Sequence, residues 1–235
     1  MNNILYKDDS CLVVNKLKGE AVEGSKEGIV NLPRELKKEL NIDFIEAVNR
    51  LDVPVTGCAL FALNASSLEY LNSAFADNTG KDASKRSSQK IIKKYWAITE
   101  KPKKYPPEKG RLVHWIETNT RTNKSFAYNE EGKNRKKSSL EYCIKGEGTN
   151  YLFIEIELHS GRHHQIRAQL AAVDLHVKGD LKYGAKRSEK DGGIRLHARF
   201  LSFPNPLNKN ELISVTANPP EIDNLWEAFL KYTQN

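Results

Sequence analysis

Asn49-Arg50-Leu51-Asp52-Val53-Pro54-Val55-Thr56-Gly57 runs straight into Cys58-Ala59-Leu60-Phe61-Ala62-Leu63. A short extended segment, Phe44 to Val48, leads into a polar loop, and an apolar run of strand length leaves it. Pro54 keeps Val53 out of the helical region, and Gly57 supplies a flexible exit without steric cost. An acid and a base, Asp52 and Arg50, are thereby expected on a loop held between two strands, a common position for reactive side chains. Alone, the Arg-Leu-Asp triplet reads as a turn with a surface ion pair. A second stretch far downstream, Gly161-Arg162-His163-His164-Gln165-Ile166-Arg167, gives it a further meaning.

The 235 residues suit one large domain or two small lobes. Lys and Arg number 37 against 30 Asp and Glu, and the net charge of +7 favours a polyanionic partner, nucleic acid or an acidic membrane surface. The opening residues carry Asp8 and Asp9 where a signal peptide would be apolar, and no apolar run reaches membrane-spanning length. Cys11, Cys58 and Cys143 are odd in number, far apart and set in apolar runs. They read as reduced core residues of a cytoplasmic protein, neither a disulfide framework nor a zinc site.

In chain order, Ile4 to Tyr6 and Cys11 to Lys16 read as strands joined by a turn. Asn31 caps a helix with Pro33 in its first turn and an apolar face of Leu32, Leu36 and Leu40. Asn64 caps a second, with Leu68, Leu71 and Phe75 on its buried face. Residues 77–90 form a basic insertion loop that carries Lys85 and Arg86, either a solvated excursion or a contact to phosphates. Ile91 to Thr99 is a strand in which Lys93, Tyr95 and Ala97 share a face. Arg111 to Thr118 and Lys124 to Tyr128 suggest a hairpin, with Lys133, Arg135, Lys136 and Lys137 in its exit loop. Tyr151 to His159 alternates, with Phe153, Glu155 and Glu157 on the face opposite Leu152, Ile154, Ile156 and Leu158. His163 to Ala172 and Glu221 to Tyr232 read as helices, Arg195 to Phe203 and Leu212 to Thr216 as strands. Helices do not alternate with strands, so the expected class is α+β, a mixed, mostly antiparallel sheet with flanking helices.

Five stretches together resemble the RluA family of pseudouridine synthases. Arg50-Leu51-Asp52 with Val55-Thr56-Gly57 is similar to its H-R-L-D-x-x-[TV]-[ST]-G signature, and Lys93-Lys94-Tyr95-Trp96-Ala97 to its K-x-Y-x-A strand. Ser160 to Arg167 resembles its T-G-R-x-H-Q-[IL]-R motif, and Gly179-Asp180 with Tyr183-Gly184 its G-D-x-x-Y-G loop. Leu196-His197-Ala198, with Leu201 to Pro206, resembles its L-H-A strand and F-x-H-P ending. The resemblance spans nearly the whole chain and implies one catalytic domain, residues 1–235, with two lobes around a central cleft. Such a family often carries a small S4-type domain ahead of the catalytic sequence; here that sequence begins by Ile4, so none is expected.

The implied reaction isomerises uridine to pseudouridine in ribosomal or transfer RNA, with no cofactor and no metal, by a monomer that does not bind membranes. A carboxylate such as Asp52 can act as nucleophile or stabilise a ribose-centred cation; attack at C1′ and a glycal route both stay open. The resemblance makes Arg167 the counter-ion of Asp52, Tyr95 the residue that stacks on the target base, and Leu196 a wall of the uracil pocket. It makes Arg50 the residue that fills the stack vacated by the flipped base, and adds Arg162, His164 and Gln165 as substrate contacts. Asn49 stands where the family has His, a change that bears on loop hydrogen bonding and not on the nucleophile. Asp174, His176 and Lys178 replace the usual Gly, Pro and apolar residue.

Two rival classes are an inactive RNA-binding or assembly factor on the same fold and a metal-dependent nuclease. Retention of Asp52, Tyr95 and Arg167 opposes the first, and the lack of a paired-carboxylate pattern opposes the second. Neutralising Lys133, Arg135, Lys136 and Lys137 together is expected to weaken RNA binding and flatten its salt dependence, measured as log affinity against log salt. An unchanged slope would exclude that patch.

Overall fold

Asp8 makes the first turn. Its Oδ1 accepts from the amides of Ser10 and Cys11, at 2.7 and 2.8 Å, and folds β1 (Ile4–Lys7) back antiparallel onto β2 (Cys11–Lys16). The structure, a computed structural model, describes residues 4–24, 27–77 and 91–233. The short strands β3 (Glu20–Ala21) and β4 (Val30–Asn31) pair in parallel. Helix α1 (Leu32–Leu40) begins as expected: the Asn31 side chain accepts from the Arg34 amide at 3.0 Å, and Leu32 and Leu36 are buried. Then come β5 (Glu46–Ala47), β6 (Thr56–Ala62) and α2 (Ala65–Asp77), the last capped by Asn64, whose Oδ1 accepts from the Ser67 amide. The strands β7 (Ile92–Glu100), β8 (Lys109–Asn119), β9 (Lys124–Tyr128), β10 (Lys136–Glu147) and β11 (Tyr151–Leu158) follow. After them come α3 (Gln165–Ala171), β12 (Leu196–Pro204), β13 (Leu212–Thr216) and α4 (Asn224–Lys231). The class is α+β, and the longer strand pairs with a described register are all antiparallel.

The chain divides into two compact units, Met1–Lys93 with Ala198–Pro220 and Lys94–His197 with Glu221–Asn235, so the division falls within β7 and β12. In the first unit β2 pairs with β6 in the register Cys11↔Ala62 to Lys16↔Gly57. One face of this pair, with Cys11, Val13, Cys58 and Leu60, joins Leu71, Phe203 and Val215 in a core. Each of the Val, Leu and Phe side chains contributes about 1.5–3 kcal/mol on burial. Gly57 is required here for more than flexibility. Its φ is +112°, and a Cβ there would lie 2.6 Å from the backbone nitrogen of Ala198. Backbone lies against backbone at the exit of the Asp52 loop, where no L side chain fits.

In the second unit β7, β11, β10, β8 and β9 are neighbours in that order. The hairpin β8–β9 forms as expected, with Trp115 opposite Tyr128. Phe153, on the face opposite Leu152 and Ile154, is buried as they are, because α4 covers that end of the sheet: its ring packs on Phe229 and Tyr232 at centroid distances of 5.4 and 5.7 Å. Two expectations need correction. Lys136 and Lys137 are not in a loop but open β10, opposite Ile116 and Trp115. Helix α3 starts only at Gln165, since His164 has a left-handed φ of 51° that no helix accommodates.

Candidate active site

Lys16 closes the strand β2 with its side chain entirely buried, and its ammonium donates to three carbonyls: Leu17 at 2.8 Å, Val53 at 3.2 Å and Val55 at 2.6 Å. The last two belong to the loop that carries Asp52, and Val53 O also accepts from the Gly19 amide at 2.9 Å. The Asp52 carbonyl accepts from the Val55 amide at 3.0 Å, which tightens the turn. The loop is thus pinned by its backbone immediately after Asp52, while Asp52 itself is half-exposed. Burial pushes the Lys16 ammonium down to about 8, against the opposing pull of Glu20 and Asp52.

A pH dependence follows. The unfolded lysine titrates near 10.5 and the folded one near 8, so between these values the unfolded chain holds a proton that the folded chain has shed. Stability contributed at Lys16 therefore rises with pH across that window, by up to about 3 kcal/mol. Denaturant midpoints of wild type and Lys16→Met, compared at several pH values, isolate the effect: wild type should gain on the variant from pH 8 upward. Parallel curves would exclude it.

Asn49 fixes the other side of the loop. Its Oδ1 accepts from the Leu60 amide at 2.7 Å and its Nδ2 donates to the Cys58 carbonyl at 3.1 Å, so the amide acts as one more rung beside β6. Asn49, standing where the family has His, thus uses both amide atoms to hold the loop entry to β6. Arg50 points outward, its side chain 59% exposed, and its guanidinium reaches Glu23 only at 3.8 Å. Such a contact holds it weakly.

The remaining site residues lie in the second unit. Arg167, on α3, is buried with a bidentate partner, Asp180: Nε donates to Oδ2 at 2.7 Å and an Nη to Oδ1 at 2.8 Å. Its guanidinium also lies 4.9 Å from the centre of the Tyr183 ring. Asp180 and Tyr183 are the acid and the aromatic of the Gly179–Gly184 stretch, so that loop serves to orient Arg167. Tyr95 is buried in β7, opposite Ile156, and Leu196 is buried at the start of β12.

A family model described as RNA pseudouridylate synthase matches residues 10–172. The chain belongs to the RNA pseudouridylate synthase family. It is 27% identical over 223 residues to a tRNA pseudouridine synthase C of Haemophilus ducreyi, covering 87% of this chain and 86% of the relative. It is 26% identical over 214 residues to a ribosomal large subunit pseudouridine synthase C of Vibrio parahaemolyticus, covering 87% of this chain and 62% of the relative. Among solved structures, human RNA Pseudouridylate Synthase Domain Containing 1 matches the fold with a TM-score of 0.71 at 19% identity, over all of this chain and 96% of that one. This synthase is an isomerase of RNA, of the RluA type.

Within the synthase, two of the expected substrate contacts also hold internal hydrogen bonds. Gln165 is buried; its Oε1 accepts from Ser160 Oγ and the Arg162 amide, and its Nε2 donates to Ser139 O and Gln169 Oε1. His164 is buried too, stacked on His163 with ring centres 3.8 Å apart and with Nδ1 3.0 Å from the Tyr183 hydroxyl. His163 Nδ1 in turn lies 3.0 Å from Ser125 Oγ, so these histidines tie α3 to β9. Arg162 is half-buried, and its Nε lacks a hydrogen-bond partner among the described residues. Arg135 stacks on Tyr128, while Lys133, Lys136 and Lys137 are exposed. Lys85 and Arg86 lie outside the described residues. Among those residues no helix is long and apolar enough to cross a membrane. The residue that sequence reading passed over is Lys16: a lysine ending an apolar strand looks like a surface residue, and only the return of the chain at Val53 and Val55 shows why it is there.

Proposed function

We propose that this synthase, as a cytoplasmic monomer, isomerises a specific uridine in a structured ribosomal or transfer RNA, with Asp52 as nucleophile or cation stabiliser. The bond from ribose C1′ to uracil N1 breaks, and the ring turns. C5 then bonds to C1′, the C5 proton passes to solvent, and N1 takes up a proton. Asp52 either attacks C1′ or withdraws a ribose proton to give a glycal. Tyr95 stacks on the uracil and relays a proton through its hydroxyl, Leu196 packs against the base, and Arg167 serves as counter-ion. Arg50, exposed and 3.8 Å from Glu23, enters the stack left by the flipped base.

The observation that carries this reading is the placing of Asp52, in a chain of this family, on a half-exposed turn whose backbone is pinned by a buried ammonium. The test is release of tritium from RNA labelled at uridine C5, with EDTA present. Release that survives EDTA and vanishes in Asp52→Ala supports the assignment; no release from any cellular RNA overturns it.

A further inference from the structure

The hairpin β8–β9 has two unlike faces. The inner one is closed: Ile116 packs with Ala168 and Tyr183, and His114, Ser125 and Ser138 are buried. The outer one carries Trp115 and Tyr128, both half-buried, and Phe126, which is 40% exposed. Trp115 and Tyr128 are a directly opposed pair, and Lys137 lies opposite Trp115 on the other side, so the three share one row across three strands. Each ring has a cation beside it. Arg135 Cζ lies 3.5 Å above the centre of Tyr128 and Lys137 Nζ 5.6 Å from Trp115, while Lys124 Nζ sits at the edge, 5.7 Å from Phe126 and 5.1 Å from Tyr183 of the inner face. Arg135 is held flat by Glu117 Oε2 at 3.4 Å and by the Glu130 carbonyl at 3.3 Å.

We infer that this outer face is a stacking platform for unpaired bases of single-stranded RNA. Aromatic rings on an open sheet stack bases, a guanidinium plane does the same, and neighbouring cations meet the phosphates. An acidic polypeptide fits worse, since its carboxylate side chains offer no flat rings to stack along the aromatic row. The inference rests on the reading that the chain acts on RNA, and it extends that reading to bases other than the modified one.

The tryptophans supply the test. Trp96 and Trp226 are 3% and 5% exposed, which leaves Trp115 as the half-exposed reporter. Full-length protein is titrated with a short single-stranded oligouridylate while tryptophan emission is followed. The expected result is quenching that disappears in Trp115→Phe, with affinity about tenfold weaker in Tyr128→Ala and in Arg135→Ala. Trp115→Phe keeps an aromatic ring in the row and so guards against a folding artefact. Labelled oligouridylate that binds without quenching, and binds Trp115→Ala equally well, overturns the inference. So does absence of binding, quenching by polyglutamate in place of RNA, or quenching that tracks protein concentration, the mark of a second copy. Tritium release read in parallel separates the two claims. Release without quenching removes the platform and keeps the enzyme; quenching without release does the reverse.

Discussion

Asp52→Asn is expected to lower tritium release from C5-labelled RNA by roughly a thousandfold or more, the scale on which enzymes lose rate when a reacting side chain is removed. The exchange is nearly isosteric, and the anchors of the loop are Val53 O and Val55 O, held by Lys16, so its frame should persist. RNA affinity and melting temperature are accordingly expected to stay close to wild type. That combination distinguishes loss of a reacting carboxylate from loss of structure. Release at a tenth of the wild-type rate or faster would remove Asp52 from the chemistry. An equal fall in Asp52→Ala and Asp52→Asn, with unchanged affinity for RNA, would place the loss in the chemical step.

Asp180→Ala is expected to destabilise the protein by about 3–5 kcal/mol, because it leaves the guanidinium of Arg167 buried without its bidentate partner. For a chain of this size, that is a fall in melting temperature on the order of 10 °C. A double variant, Arg167→Met with Asp180→Leu, removes both charges together and should recover part of the stability, since neither partner is then stranded. It should recover no activity. Recovery of both would reduce the pair to scaffolding; no loss of stability in Asp180→Ala would show that the pair contributes little to the folded state.

Much of the architecture could be read from local signals. Asn31 and Asn64 cap the helices they were expected to cap, and the hairpin closes where the alternation of Arg111 to Tyr128 breaks. What could not be read is what depends on distant chain segments. Alternation placed Phe153 on the face it shares with Glu155 and Glu157, but nothing local announces that α4 will return to bury it. His164 joins a left-handed backbone to a hydrogen bond with Tyr183 and a stack on His163, and no helix-start pattern encodes these. At the site, the resemblance marked Arg167 and Asp180 separately, in two motifs, but motif spacing does not say that one orients the other. The resemblance marked Gln165 as a substrate contact, but no motif announces the four internal hydrogen bonds by which it also braces the start of α3.

A primary amine that sheds its proton near neutrality is ordinarily the one that acylating and alkylating reagents find first. Lys16 has that acidity and is sealed from solvent by the carbonyls it holds. Reagents that label the exposed lysines of the folded protein will pass it by, and its labelling would time the excursions in which the turn behind Asp52 comes undone.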